Sequence, residues 1–239
     1  MRRFFAPPQN FNTGVATLDA DETRHLRDVL RLKIGDEVSV FDGLGAEFRC
    51  EIRTIGKRSS DLTIIESTPV ASPESDLDLT LAAAMVSGEK FDLVIQKSVE
   101  LGVTRFVPLN TVRCDVKLKD AAKRLDRWRR IAMEATKQCG RAVLMEIADP
   151  VDLPNLIADT DPPTMLLFSE RDGATFSPKP VVKKLTAVIG PKGGWDDGEL
   201  ELAAGNNVTV VTLGGRILRA ETAAIAITAV LQHRFGDLT

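Results

Sequence analysis

The chain has 239 residues, of which 44% are hydrophobic, and its formal net charge at pH 7 is −3. This hydrophobic content is sufficient for a packed core, and the negative net charge excludes a protein that binds polyanions through its overall charge. The three cysteines, Cys50, Cys114 and Cys139, are far apart and include no CxxC pair, so they indicate neither a disulfide framework nor a zinc site and favour a reducing, cytoplasmic compartment.

The N-terminal sequence MRRFFAPPQNF is basic, but Pro7 and Pro8 interrupt it before any apolar stretch of signal-peptide length. No uncharged run in the chain reaches the roughly 18 residues that a membrane-spanning helix needs. We therefore expect that this segment does not direct export and that the protein is not embedded in a membrane.

The first 70 residues predict one helix followed by short strands. Asp19 can cap the helix, Glu22 can complete a capping box, and the following turns carry an apolar stripe of Leu26, Val29 and Leu30. After Gly35, the stretches EVSVF, AEFRCEI and DLTIIEST alternate in the manner of half-buried strands. Residues 1–70 thus predict a small β-rich domain, and residues 68–76, TPVASPESD, predict a linker.

Residues 76–239 predict an α/β domain, because strand-like and helix-like stretches alternate along them. The strand-like stretches are continuously apolar, as in LDLTLAAAMV and TMLLFSE, which is typical of a parallel sheet covered on both faces. A long helix follows the second strand, and one apolar face of it consists of Leu125, Trp128, Ala132, Ala135 and Cys139. That spacing favours packing against the core.

The last three strands each lead into a loop of unusual composition. The loops read FSERDG (168–173), GPKGGW (190–195) and LGGRILRAE (213–221). In open α/β sheets ligands bind at the carboxyl ends of strands, where glycines let the backbone approach a ligand closely. One such loop could be an ordinary turn, but three in succession predict a ligand site.

Familiar catalytic motifs are absent from the sequence. GPKGGW lacks the Ser or Thr and the spacing of a P-loop, and no GxGxxG follows the first strand of the second domain. His25 and His233 stand alone on predicted helices, so no metal site is expected, and no Ser/His/Asp or Cys/His set can be assembled from spacing.

Two groups of basic residues interrupt the otherwise acidic chain. Either alone is compatible with a solvated helix face, but both together favour a local contact with a polyanion. The groups comprise Arg2, Arg3, Arg24, Arg27, Arg31 and Lys33 near the start, and Lys117, Lys119, Lys123, Arg124, Arg127, Arg129 and Arg130 in the middle.

Several motifs resemble one family in the same order along nearly the whole chain: RRFF, HLRDVLRLKIGDEV, SGEKFDLVIQKSVELGV, EATKQCGR, GPKGGW and LGGRILRAETA. They are similar to the SPOUT-class methyltransferases that modify N3 of one uracil in 16S ribosomal RNA. The resemblance implies an N-terminal PUA-like β-barrel that binds RNA and a C-terminal α/β domain with a trefoil knot. It also implies S-adenosylmethionine bound in the knot, and a homodimer.

The resemblance implies cofactor contacts in the three loops and a role for the arginines of the last one. We expect the cofactor-binding residues to be Leu167, Phe168, Ser169, Glu170, Gly190, Gly193, Gly194, Leu213, Gly214, Ile217, Leu218 and Ala220. As a hypothesis, Arg216 or Arg219 stabilises the charge that grows on the uracil oxygens, and Glu221 accepts the N3 proton. Glu221 has an alternative role as a favourable acid in the first turn of the last helix.

RNA binding is expected first at Arg2, Arg3, Arg24, Arg27 and Arg31, with the surface around Arg124 and Arg127 as the second choice. The chain departs from the usual family pattern at Lys192, where an acid is common, and at Gly215. Two alternatives remain open: a SPOUT enzyme of other regiospecificity, such as a ribose 2′-O-methyltransferase, and a non-catalytic factor in ribosome assembly.

Overall fold

The structure is a computed structural model that describes residues 1–171, 173–177 and 182–238. Its strands are β1 (Arg3–Phe5), β2 (Phe11–Asn12), β3 (Val15–Leu18), β4 (Glu37–Phe41), β5 (Glu47–Ile55), β6 (Ser60–Thr68), β7 (Asp78–Ala84), β8 (Arg105–Asn110), β9 (Glu146–Ile147), β10 (Val151–Asp152), β11 (Met165–Phe168), β12 (Ala174–Thr175), β13 (Lys184–Ile189) and β14 (Thr209–Thr212). Its α-helices are α1 (Ala20–Arg24), α2 (Glu89–Glu100), α3 (Leu118–Ala121), α4 (Leu125–Cys139), α5 (Leu153–Ala158), α6 (Asp197–Gly205) and α7 (Ala220–Phe235).

The chain forms two compact units. The first comprises residues 1–74 and 133–144, and the second comprises residues 75–132 and 145–239. Residues 133–144 were expected in the second domain, whereas their packing places them with the first unit. The assignment of residues 1–70 and 76–239 as functional domains stays a prediction.

The first unit is built on a curled, mixed sheet with the strand order β1-β4-β5-β6-β3-β2. β1 runs parallel to β4 and the other neighbouring pairs are antiparallel. Two register shifts between β5 and β6 bend these strands. The three strands expected between residues 37 and 68 are confirmed, and their inward side chains join Phe4, Leu18 and Leu26 in one apolar core.

The helix predicted after Asp19 forms, but it is shorter and less regular than expected. The Asp19 side chain accepts a hydrogen bond from Glu22 N at 2.9 Å, which confirms the N-cap. The α-helix ends at Arg24 and a π-helical turn, residues 25–29, follows it. The wider turn rotates the predicted apolar stripe, so Leu26 is buried while Val29 is exposed.

The capping box expected at Glu22 is wrong, because other partners hold this carboxylate. It accepts hydrogen bonds from Phe5 N at 3.4 Å and from Lys137 Nζ at 2.7 Å. Burial raises the pKa of Glu22, and the Lys137 ammonium partly opposes that rise. Both side chains are almost fully buried, so the end of α4 is attached to α1 through a desolvated ion pair.

Arg3 holds the segment after α4 in the first unit. Its guanidinium donates to both carboxylate oxygens of Glu47, at 2.9 and 3.0 Å, and to three carbonyls at 2.9 to 3.1 Å, which belong to Thr136, Lys137 and Arg141. Burial acts to raise the pKa of Glu47, but hydrogen bonds from Arg3 and Ser39 hold that pKa below its usual value. Arg3 therefore satisfies carbonyls at and just beyond the C-terminal end of α4 together with one buried carboxylate.

The second unit contains an eight-stranded sheet in the order β10-β8-β7-β13-β11-β14-β12, with β9 beside β8. Every pairing among its described strands is parallel, as the apolar strands predict. α7 packs on α2, β7 and β13, and α6 packs on α5 and β14. Within the predicted apolar face of α4, Trp128, Ala132 and Ala135 are buried, and the Trp128 ring lies 4.9 Å from that of Phe91.

We expect Arg3→Met to lower the free energy of unfolding of the chain by about 3 kcal/mol, because the buried Glu47 carboxylate loses its cation. Arg24→Ala is the matched control, since the Arg24 pair with Asp21 is exposed and should contribute less than about 1 kcal/mol. Urea denaturation followed by circular dichroism measures both. Equal losses in the two variants would contradict the role assigned to Arg3.

Candidate functional site

A cavity of about 490 Å³ opens at the carboxyl ends of β11, β13 and β14. β11 lies between β13 and β14, so their three following loops emerge side by side. Most of the predicted site residues line this strand-end cavity: Phe168, Ser169, Glu170, Gly190, Gly194, Leu213, Gly214, Arg216, Ile217, Leu218, Arg219 and Ala220. The prediction of one ligand site from three glycine-containing loops therefore has a matching cavity.

Three predicted residues do not line the cavity. Leu167 is fully buried in β11, directly before the lining residue Phe168. Gly193 contacts Arg113 behind the loop, and Glu221 lies in the first turn of α7. Eight lining residues were not predicted as site residues, and most of them belong to or adjoin the quoted loops: Arg171, Ile189, Pro191, Lys192, Thr212, Gly215, Ala223 and Ile227.

The loop after β11 is fixed by bonds from neighbouring loops. Ser169 N donates to Val211 O at 2.9 Å, and Trp195 Nε1 donates to Phe168 O at 2.8 Å. The next side chain, Glu170, places a carboxylate in the cavity, and Arg171 Nε lies 3.5 Å from it. This loop therefore contributes one carboxylate and one guanidinium to the lining.

The loop after β13 depends on glycines at two close approaches. A Cβ at Gly190 would lie 2.7 Å from Trp195 Nε1, and one at Gly194, where φ is +75°, would lie 2.6 Å from a Glu170 oxygen. Arg113, which follows β8, donates to the carbonyls of Gly193 and Trp195 at 3.3 and 3.0 Å. No sequence pattern indicates this bracing role, because Arg113 is distant along the chain from the loop.

The loop after β14 is the most open of the three. Gly214 and Gly215 have φ values of +71° and +78°, and a Cβ at either would meet nothing within 4 Å. The backbone here adopts a conformation that favours glycine, and Gly214 N donates to Thr212 Oγ1 at 3.2 Å. Arg216 and Arg219 are exposed and line the cavity, with Arg219 at the N-cap of α7.

Glu221 is engaged in an ion pair with a residue from another helix. Its carboxylate lies 2.8 Å from Nζ of Lys90, at the start of α2. The hydrogen bond from Lys90 holds the pKa of Glu221 below its usual value. Glu221 is therefore ionised at neutral pH, but a carboxylate stabilised in this way is a weak proton acceptor.

The cavity has the shape and chemistry that an adenosine-containing cofactor requires. Phe168, Ile189, Leu218 and Ile227 provide apolar walls, and the open backbone of the glycine loops can hydrogen-bond the edge of a base. The carboxylate of Glu170 can accept hydrogen bonds from ribose hydroxyls or from an ammonium group. The residues present therefore fit S-adenosylmethionine.

The residues predicted to bind RNA occupy different environments in the first unit. Arg2 and Arg31 are exposed, and Arg31 has an unusual φ of +54°. Arg24 pairs with Asp21, and Arg27 pairs with Asp28 and donates to Gly56 O, all at the surface. Arg3 is committed to the buried network described above, so its geometry favours a structural role. The RNA-binding role of the set stays a prediction.

The second-choice basic surface is also partly paired. Arg127 donates to Asp92 from two nitrogen atoms, and Arg129 lies within 4 Å of two aspartates. In the described ranges 1–171, 173–177 and 182–238, no cluster of His, Cys, Asp or Glu has the arrangement of a metal site. Nor does any helix within those ranges have the length and apolar character to cross a membrane.

Two family models match the chain. An RNA methyltransferase domain model matches residues 73–232, and an RNA methyltransferase PUA domain model matches residues 18–65. The chain is 33% identical to ribosomal RNA small subunit methyltransferase E of Synechocystis sp. over 92% of its length and 74% of the relative's. It is 33% identical to the protein of that name from Buchnera aphidicola subsp. Schizaphis graminum, over 94% and 93% of the two chains.

A solved structure gives the same result. Ribosomal RNA small subunit methyltransferase E from Neisseria gonorrhoeae, bound to S-adenosyl methionine, matches with a TM-score of 0.90 and 33% identity over 100% of both chains. The predicted fold class, a PUA domain followed by a SPOUT-type α/β methyltransferase domain, is confirmed. The chain belongs to the RNA methyltransferase family whose members include ribosomal RNA small subunit methyltransferase E.

Proposed function

We propose that this protein transfers a methyl group from S-adenosylmethionine to N3 of one uridine in the 16S RNA of the small ribosomal subunit. The observation that carries the proposal is the strand-end cavity, in which Arg216 and Arg219 lie beside apolar walls that suit an adenosine. The names of the relatives support the choice of substrate, and the cofactor bound to the Neisseria gonorrhoeae protein supports the choice of methyl donor.

The cofactor would be held by the three loops at the strand ends. Gly190, Gly194 and Gly214 would present their backbone to the base, while Glu170 would face the ribose or the ammonium group. When bound, S-adenosylmethionine supplies a methyl group activated by a sulfonium. The chain's own contribution is to bind, to orient and to shield the reacting atoms.

The target atom sets further requirements. Uracil N3 lies on the Watson-Crick edge and carries a proton at neutral pH, so the base must be unpaired and must lose that proton. Negative charge then grows on O2 and O4 of the ring. We assign Arg216 and Arg219 as the donors that stabilise this charge, because both line the cavity on its open side.

The proton-accepting role of Glu221 stays a prediction, and its surroundings favour the alternative role. The ion pair with Lys90 and the position outside the cavity lining suit an acid that stabilises the first turn of α7. Glu221 would then fix the helix whose N-cap is Arg219.

We further propose that residues 1–70 form the RNA-binding domain and that residues 76–239 carry the knot. Insertion of β13 between β7 and β11, and of β14 between β11 and β12, is the kind of chain return that a knot requires. The knot stays a prediction, as does the cytoplasmic location. Arg2, Arg24, Arg27 and Arg31 are exposed enough to contact phosphates, which would position the RNA without selecting its sequence.

A homodimer is part of the same proposal. α7 is rich in alanine and isoleucine, and its outward residues Ile225, Ala226, Ala229 and Val230 are at least partly exposed. A helix that is apolar around its whole circumference is usually buried, so a second copy of the chain is a suitable cover for this face.

We expect small ribosomal subunits that lack the modification to acquire 3-methyluridine when incubated with the protein and S-adenosylmethionine. Nucleoside mass spectrometry identifies the product. A 2′-O-methylated nucleoside would instead indicate a SPOUT enzyme of other regiospecificity. Cofactor binding without any methylated product would favour a non-catalytic assembly factor.

We expect Glu221→Gln to lower kcat less than about tenfold, with unchanged cofactor affinity and an unchanged pH profile, because the residue fixes a helix. Removal of a general base would cost about 10²- to 10⁴-fold. Arg219→Gln is the comparison variant and should cost about 10²- to 10³-fold in kcat, as the loss of a charge-stabilising donor does. A large loss in Glu221→Gln with a flattened pH dependence would support the base role.

We expect Val230→Asp to convert a dimer into a monomer, because it places a charge in the apolar face of α7, where Val230 is 39% exposed. Light scattering of the purified protein measures the molar mass. Ile65→Asp, on β6 of the first unit, is the matched control for an added acid, because Ile65 is an apolar residue that is 42% exposed. A monomeric wild-type protein would contradict the proposed dimer.

A further inference from the structure

The lining of the strand-end cavity carries more positive charge than its cofactor can pair with. Among the described lining residues, four are cationic and one, Glu170, is anionic, which gives a formal charge of +3. The cations are Arg171, Lys192, Arg216 and Arg219. The chain as a whole has a formal charge of −3, so this concentration of cations is local.

S-adenosylmethionine does not account for these charges. It carries a carboxylate, an ammonium and a sulfonium at neutral pH, so its net charge is positive and a cationic lining opposes its binding. The cofactor carboxylate can pair with one cation, and Glu170 can face the ammonium. Arg216 and Arg219 are assigned above to the uracil, and the cofactor carboxylate needs at most one further cation, so at least one of Lys192 and Arg171 has no role in either ligand.

The positions of Lys192 and Arg171 suit a partner outside the cavity. They lie on adjacent loops, after β13 and β11, and both side chains are exposed, that of Arg171 to 71%. Among the described residues, no carboxylate lies within 4 Å of Lys192 Nζ, and Arg171 has only a 3.5 Å contact with Glu170. Two exposed cations at the opening of a site that admits a nucleotide are suited to the phosphates on either side of it.

We propose that Lys192 and Arg171 bind backbone phosphates of the RNA that flank the nucleotide entering the cavity. The inference rests on the proposed function in taking RNA as the substrate, but not on which base or atom is methylated. It assigns a role to Lys192, where the family resemblance leads one to expect an acid. Phosphate contacts in the second unit would hold the splayed nucleotide at the cavity while the first unit binds elsewhere on the RNA.

Salt dependence of RNA binding tests the proposal directly. Each phosphate contact contributes about 0.7 to 0.9 to the slope of log affinity against log salt concentration. We expect Lys192→Gln and Arg171→Gln each to reduce that slope by this amount in the full chain. The loss of affinity between about 50 and 200 mM salt then shrinks by about threefold for each variant. Fluorescence anisotropy with a short labelled single-stranded RNA that contains uridine measures the slope.

Lys184→Gln is the matched control. Lys184 begins the strand that leads to Lys192, so it lies at the opposite end of β13, and its side chain is 68% exposed. The substitution removes the same charge from the chain without altering the cavity. The slope for this variant should equal that of the wild type.

Cofactor affinity provides a second readout, which separates RNA contacts from cofactor contacts. We expect Lys192→Gln to bind S-adenosylmethionine as tightly as the wild type or more tightly in calorimetry, because a repelling charge is removed. Weaker cofactor binding with an unchanged RNA slope would overturn the proposal and make Lys192 a cofactor contact. Unchanged slopes in both variants, or no RNA binding by the wild type, would also overturn it.

Failure of the proposed function would be distinguishable. If nucleoside mass spectrometry found a product other than 3-methyluridine while the variants reduced the slope, the regiochemistry would be wrong and the phosphate contacts would stand. If 3-methyluridine formed and the slopes did not change, the proposed function would stand and the phosphate contacts would be wrong. Each variant should unfold at the same temperature as the wild type, which ensures that both measurements report on folded protein.

Discussion

The parallel register of β13, β11 and β14 is the constraint on which the functional site depends. Neighbouring strands in a sheet lie about 4.8 Å apart, so three loops that leave adjacent strand ends must converge on a small volume. None of the loops alone encloses a ligand. Because the register fixes all three at the same edge, short segments that are far apart along the chain together form the walls, the carboxylate and the cations of one cavity.

Side chains behind the loops preserve this arrangement. Trp195 binds the Phe168 carbonyl from beneath, and Arg113 binds two carbonyls of the loop that contains Gly193. The capping box between Asp196 and Glu199 starts α6 directly after that loop, and Glu199 also accepts from Val112 N. The loop is therefore held at both ends, which leaves its glycine backbone preorganised for a ligand.

Much of the fold followed from local pattern, and the failures have physical causes. Continuous apolar strands predicted the parallel sheet, and three glycine-rich strand ends predicted the cavity. Sequence pattern could not supply the strand order, nor the π-helical turn that exposes Val29. It also missed the bracing by Arg113 and the burial of Arg3, because a charged residue looks the same in a sequence whether it meets solvent, carbonyls or a distant carboxylate. Such roles depend on contacts between residues far apart in the chain.

The distribution of charge links the site to its proposed chemistry. Salt screens charges at the surface within about 8 Å, so the acidic balance of the whole chain has little effect at a cavity whose own lining is cationic. A cationic lining favours the ionised form of a uracil ring, in which N3 has lost its proton, over the neutral form. The one nearby acid considered as a base, Glu221, is instead stabilised as a carboxylate by Lys90. As proposed donors to the ring oxygens, Arg216 and Arg219 would therefore lower the cost of removing the N3 proton, whichever group accepts it.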